Sequence, residues 1–422
     1  MTPAETGATT GGPAADLSGR ERRHEAARQG SPLQIGFALF ALAMGGFAIG
    51  TTEFVSMGLL PQLASGVGVS IPTAGQVISA YAIGVVVGAP LIAVFGARLP
   101  RRELLIGLMA VFLIGNAASA LATGFASLTA ARFFAGLPHG AYFGVASLVA
   151  AGLVATERRG RAVSGVMLGL AFANVAGVPA ATWLGQHAGW RSAYWLVSGL
   201  AALTALLVLW LVPHVAANRD ATGRNELSAF RNPQVLLTLL AGAIGFGGMF
   251  AVYTYIAPTV TDVAGLAEGR VPLYLLAMGL GMVVGTPLGG RLADWSIFRS
   301  LLVSSVSMIA ILVAFTFTSE HFLAGLTTVF LLTVAGSVLV TNLQMRLMQV
   351  AGNAQTIGAA MNHASLNVAN ALGAWLGGVV VAAGFGYTST AWVGAALSLA
   401  GLLVLLVSAT LQRRTSREVG RQ

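Results

Sequence analysis

Long apolar runs separated by short polar breaks make up almost the whole chain. The runs fall near 34–60, 71–95, 103–122, 127–154, 162–186, 191–212, 233–259, 271–292, 300–318, 322–344, 356–383 and 388–410. A helix needs about 20 apolar residues to cross the hydrocarbon core of a bilayer, and each run supplies that length. The pattern predicts an all-α polytopic membrane protein with twelve transmembrane helices. The longest polar break, PHVAANRDATGRNELSAFRN, divides the helices six and six. The expected organisation is a disordered arm over 1–32, a six-helix bundle over 33–212, a linker over 213–232, a second bundle over 233–410 and a basic tail over 411–422.

The two halves repeat. Sliding the second back by 197 positions lays GMVVGTPL at 281–288 over GVVVGAPL at 84–91, and the same shift sets Pro258 on Pro61, Arg299 on Arg102 and Leu301-Leu302 on Leu104-Leu105. Chance use of small residues for packing explains the glycines but not the flanking matches at one offset. Two pseudo-symmetric six-helix bundles with a site between them near the midplane follow from such a duplication.

Composition narrows the classes. The chain has 422 residues, 56% of them hydrophobic and 9% charged, with a mean hydropathy of +0.80. A net charge of +9 could suggest nucleic acid, but the basic residues sit in short groups between apolar runs, as the topology of a membrane protein requires. Of 23 Arg, 20 fall on one side of the membrane if the N-terminus is cytoplasmic, with Arg191 and Arg270 outside and Arg132 inside a run. Both termini are therefore expected in the cytoplasm. The N-terminal arm lacks the apolar core of a signal peptide. Without cysteine there is no disulfide, thiolate nucleophile or thiolate metal site.

Two charges lie within the apolar runs away from their ends. Glu53 is the only charge between Gln34 and Leu60, and Arg132 stands in RFFAGLPHGAYFGVA on the fourth run. An intramembrane ionisable group is costly and marks function by default, with a snorkelling acid near a helix end as the plainer reading. Counted from their helix ends, Glu53 and Arg132 reach similar depth in the outer half, so each is expected to partner the other. Burial and a nearby Arg pull a carboxylate's proton affinity in opposite directions, so a change in their separation would load or release a proton. His139 shares a helix face with Arg132; it is either a hydrogen-bonded helix residue or a second proton-handling group.

Uncharged polar groups form stripes. The tenth run carries Thr333, Ser337 and Thr341, the eleventh His363, Asn367 and Asn370, the seventh Tyr253 and Tyr255, and the fourth Tyr142. These are either interhelical glue or the walls of a cavity suited to neutral or amphiphilic organic solutes. Small residues recur every fourth position at Gly165, Gly169, Ala173, Gly177, Ala181 and Gly185, and again at Gly281, Gly285 and Gly289. Such stripes allow tight packing and equally the rocking of one bundle against another. In the short loops, Arg98, Arg101, Arg102, Asp294 and Arg299 are candidate gate residues. Asp294 is expected to reach Arg158, Arg159, Arg161 or the start of the fifth run.

The stretches GTTEFVSMGLLP, GAPLIAVFGARLPRRELL, RFFAGLPHGAYFGVA and GLAFANVAGVPAATWLGQHAGWRSAYW resemble the major facilitator superfamily. Within it they look like the twelve-span drug:proton antiporters of the arabinose-efflux-permease-like and chloramphenicol-resistance-like branch. The resemblance implies the major facilitator fold, places Arg132 where proton coupling occurs, and matches Gly169, Gly177, Pro179 and Gly185 to the antiporter motif. In the loop motif after the second run Ala97 replaces the usual Asp, whereas the repeat copy GRLAD keeps Asp294. The implied function is proton-driven export of a small organic substrate across a bacterial cytoplasmic membrane. The expected partners are protons and lipid, with no nucleic acid, no cofactor beyond the proton gradient, and a monomeric state. Sugar or nucleoside efflux and a non-transporting receptor or scaffold are the rivals. An enzyme is not expected, because no HExxH, paired aspartates or activated serine appears in the runs.

Overall fold

The computed structural model describes residues 31–96, 99–155, 158–214, 232–350 and 355–419, and among these every regular element is helical. Arg98, most of the arm and linker, and the end of the tail lie outside the described residues. Helix α1 (Pro32–Gly58) opens with a capping box. The Ser31 hydroxyl accepts from the Gln34 amide at 3.3 Å, and the Gln34 side chain accepts from the Ser31 amide at 2.9 Å. Then follow α2 (Ile71–Gly96), α3 (Arg101–Ala120), α4 (Phe125–Gly152), α5 (Arg159–Phe172 and Val178–Ala188, joined by the π-helical turn Ala173–Gly177) and α6 (Trp190–Leu211). The second half starts with α7 (Pro233–Gly245 and Gly247–Thr254), where Asn232 caps the Gln234 amide at 2.9 Å and Pro233 fills a position that needs no N–H.

Eleven helices among the described residues are long and apolar enough to cross a membrane, and one of them, Glu268–Thr318, has 51 residues. At 1.5 Å per residue it would be roughly 75 Å long, more than twice a bilayer core of about 30 Å. The backbone resolves this at Ser296, whose φ of −173° and ψ of 112° are not helical. The Ser296 hydroxyl accepts from the Arg299 amide at 3.4 Å and so caps a new helix. The segment is thus α8 (271–295) and α9 (297–318), and with α10 (Phe322–Val350), α11 (Gln355–Ala382) and α12 (Ser389–Val419) the twelve expected helices are present.

The 197-residue repeat returns as geometry. A Cβ on Gly84 of α2 would lie 2.2 Å from the Phe133 carbonyl of α4, and one on Gly88 would lie 2.1 Å from the Leu137 carbonyl. Shifted by 197, a Cβ on Gly281 of α8 meets the Phe330 carbonyl of α10 at 2.4 Å, and one on Gly285 meets the Val334 carbonyl at 2.5 Å. Only glycine permits backbones this close, so the α2–α4 and α8–α10 crossings are the same joint made twice. Proline does likewise: α1 breaks at Leu59 before Pro61, and α7 breaks at Tyr255 before Pro258, because each proline denies its helix an N–H.

The halves meet along two seams. Across one, the Ser79 hydroxyl of α2 donates to the Ala371 carbonyl of α11 at 3.1 Å; across the other, Gly279 of α8 rests on the Asn174 carbonyl in the π turn of α5, 2.3 Å from a built Cβ. Both contacts lie toward the end at which α1 finishes, here the distal end. There Gln62, just beyond α1, and Gln186 of α5 donate to the side chain and the carbonyl of Glu268 at 2.9 and 3.0 Å.

Candidate functional site

Helix α4 carries Arg132 into the first bundle, where it is fully buried. Its guanidinium donates to the Thr52 carbonyl at 3.1 Å, to the Thr52 hydroxyl at 2.9 Å and to Asn116 Oδ1 at 3.5 Å. The plane lies 4.3 Å from the centroid of Tyr81 and 5.3 Å from that of Tyr194, close enough for the ring quadrupoles to offset part of the lost hydration. Glu53 is not its partner. Among the described residues the sole carboxylate within ion-pair distance of a basic side chain is that of exposed Glu103, 2.8 Å from the imidazole of His214. Glu53 is buried without a hydrogen bond, within electrostatic range of Arg132, Tyr81 and, from the other half, Tyr253. The expected pairing thus becomes an adjacency: Arg132 grips the residue just before Glu53. Equal depth along two helices does not fix direction around them, and one residue turns a helix by about 100°.

His139 offers Nδ1 to the Tyr81 hydroxyl at 3.0 Å, and its ring lies 5.5 Å from that of Phe143. Phe143 in turn stacks on His363 of α11 at 5.7 Å with planes 3° apart, which joins the two halves. On the other side of the seam Tyr253 stacks on Phe54 at 5.0 Å and donates to Asn174 Oδ1 at 3.5 Å. Asn367 and Asn370 are buried on the His363 face of α11; Asn367 Nδ2 donates to the His363 carbonyl, and neither amide atom of Asn370 has a partner. Glu53, His139, Tyr253, His363, Asn367 and Asn370 therefore gather about the junction of the two halves.

Other expected cavity residues turn to packing. Tyr142 is sealed over Gly45 and donates to the Leu42 carbonyl at 3.0 Å, and Tyr255 reaches the Ala374 carbonyl at 2.9 Å. Thr333 and Ser337 lie against Gly281 and Gly285, with Thr341 against Gly289, so the hydroxyl stripe of α10 is fitted to the glycine stripe of α8. On α5, Gly169 abuts the Ala43 carbonyl, Gly177 the Thr51 hydroxyl and Gly185 the Leu59 side chain, all of or next to α1. Pro179 follows the π turn that it causes by withholding its N–H from Val175. In the loops, Arg102 donates to the Leu209 carbonyl, Arg101 is half-buried, and Arg299 lies 5.5 Å from the Trp295 ring. Asp294 is exposed without an ion pair, so the contact expected with Arg158, Arg159 or Arg161 is not made in this arrangement. Beyond the distal helix ends, Tyr387 stacks on Tyr255, and burial followed by the charge of Asp262 pushes its phenol above the usual range.

Tyr81, Thr52, Asn116 and Asn174 escaped the sequence reading. Each is a polar group inside an apolar run, the same signal that marked Glu53, but uncharged and hence common.

This architecture agrees with known proteins. The model of the Major Facilitator Superfamily matches residues 42–363. The chain belongs to that superfamily. Among curated relatives, this facilitator is 40% identical to the inner membrane transport protein YdhP of Escherichia coli, over 91% of this chain and 98% of the relative. It is 36% identical to the chloramphenicol resistance protein of Streptomyces lividans, over 87% and 94%. Its fold matches the crystal structure of a D-xylose-proton symporter with a TM-score of 0.70 at 17% identity, over 88% and 97% of the two chains. It is a multi-pass membrane transporter and not an enzyme.

Proposed function

We propose that this facilitator is a proton-coupled antiporter that exports small neutral or amphiphilic organic compounds across a bacterial cytoplasmic membrane by alternating access. The observation that carries the reading is Glu53, a buried carboxylate without an ion pair at the junction of the halves. A carboxylate held in that way is free to take and lose a proton, whereas one locked to Arg132 would stay charged. The arginine distribution supports placing the distal end outside, so the seams described above lie on the outer side. The transported proton binds Glu53 from outside in an outward-open arrangement and leaves inward in an inward-open one. Arg132 fixes the backbone of α1 at Thr52 and so limits where the carboxylate goes. Kinship with a chloramphenicol resistance protein supports amphenicol-like compounds over sugars or nucleosides.

The experiment is transport into everted membrane vesicles energised by a proton gradient, with amphenicols, sugars and nucleosides offered in parallel. Glu53→Gln keeps shape and hydrogen bonding but not titration, and it is expected to abolish gradient-driven accumulation while the protein still reaches the membrane. Wild-type rates in Glu53→Gln under the same gradient overturn the assignment.

A further inference from the structure

Tyr81 of α2 touches two residues of the coupling region at once. Its ring carries the Arg132 guanidinium at 4.3 Å and its hydroxyl meets His139 Nδ1 at 3.0 Å, in a place closed to solvent. The hydroxyl has no other partner, and Nε2 of His139 has none. The groups around the imidazole are Tyr81 from α2, Phe143 from its own helix and His363 from α11, with Glu53 of α1 reaching Tyr81 by its charge.

A neutral imidazole carries its hydrogen on one nitrogen only. With the hydrogen on Nδ1, that nitrogen would donate to Tyr81, and the phenol hydrogen would be left buried without an acceptor, which is the costly arrangement. If Nε2 holds the hydrogen instead, Nδ1 accepts from Tyr81 and the phenol is satisfied. Arg132 adds to the same choice, because a cation over the ring draws electron density from the phenol and makes its O–H a stronger donor. The Nε2–H is then the one group of the pair without a protein partner, whereas the other tautomer would leave both the phenol hydrogen and the Nε2 lone pair unmatched; the next residue along the aromatic series, His363, belongs to the opposite half.

We propose that Tyr81 is a positioning residue: its hydroxyl holds His139 Nδ1 and presents Nε2–H toward the seam with α11, where it donates to a neutral substrate bearing a carbonyl or hydroxyl acceptor. The word substrate rests on the transport reading above; the tautomer does not. An N–H donor at that point favours acceptor-bearing molecules and gives nothing to a quaternary cation.

The test uses the full chain, labelled with 15N-histidine in nanodiscs at pH 8, with the His139 resonances assigned by their loss in His139→Gln. Wild type is expected to show the Nε2–H tautomer. Tyr81→Phe keeps the ring under Arg132 and removes only the hydroxyl, so it should populate the Nδ1–H form while the protein stays folded with at most a modest fall in unfolding temperature; Glu53→Gln should leave the tautomer as in wild type. Chloramphenicol, as the neutral acceptor-bearing probe, should shift the Nε2 signal in wild type and at least tenfold less in Tyr81→Phe at equal concentration. A wild-type Nδ1–H tautomer, or one indifferent to Tyr81→Phe, overturns the positioning role. No chloramphenicol shift in wild type overturns the acceptor selection, and neither result bears on whether Glu53 carries the proton.

Discussion

Thr52 and Glu53 are chain neighbours with opposite tasks, since Thr52 gives both its carbonyl and its hydroxyl to Arg132 while Glu53 keeps its carboxylate unpaired. The Thr52 hydroxyl also donates to Asn116 Oδ1 at 2.5 Å, so Arg132, Thr52 and Asn116 form one closed polar knot among three helices. Thr52→Val keeps the shape of the side chain and removes the hydroxyl, which leaves a buried guanidinium N–H and an amide oxygen short of a partner. A loss of about 1–3 kcal/mol is expected, read as a lower unfolding temperature in detergent; an unchanged temperature would mean that water fills the gap. A charge in an apolar run is legible from sequence, which is why Glu53 and Arg132 stood out. That Arg132 takes Thr52 while Glu53 stays unpaired was not, because the facing direction of a side chain depends on helix rotation that a linear count does not carry.

At the scale of helices, the sequence displayed its joints more clearly than its site. Glycines at four-residue spacing and a common offset of 197 marked the residues of the two joints, Gly84 and Gly88 with Gly281 and Gly285, but not the helices α4 and α10 that they meet. The hydroxyls of α10 were ambiguous for a physical reason: a stripe at that spacing lies on one face whether the face meets a cavity or a neighbouring glycine ridge. The joint can be tested by contrast. Gly285→Val must push into the Val334 carbonyl and is expected to cost several kcal/mol or prevent membrane accumulation. Gly290→Val, five positions on, meets nothing within 4 Å and should accumulate as wild type. Equal yields of the two in a membrane fraction would show that the α8–α10 crossing yields easily.

The two halves share a buried apolar cluster that includes Phe54, Met57, Ile78, Phe250, Tyr253 and Leu275, and toward the distal end polar contacts join them: Ser79 to Ala371, Gly279 to Asn174, and the two glutamines on Glu268. Glu268→Ala removes the Gln62 bond and retains the backbone one, a change of about 1 kcal/mol that corresponds to roughly a fivefold shift toward the open form. The natural absence of cysteine allows a direct measurement. Thiols at Gln62→Cys and Glu268→Cys, bridged by a short reducible reagent, should stop transport, and reduction should restore it; transport that continues while bridged would remove the distal end from the cycle. A linear reading gave twelve helices and a duplication but not the end at which these contacts form, because the repeat is compatible with either. At two contacts between the bundles one side is a main-chain carbonyl, that of Asn174 under Gly279 and that of Ala371 under the Ser79 hydroxyl. Peptide groups are the one part of the chain that most substitutions leave unaltered. A lineage that keeps Gly279 and Ser79 can therefore exchange the rings and amides around Tyr253, His363 and Asn370 in search of new cargo while inheriting these bearings.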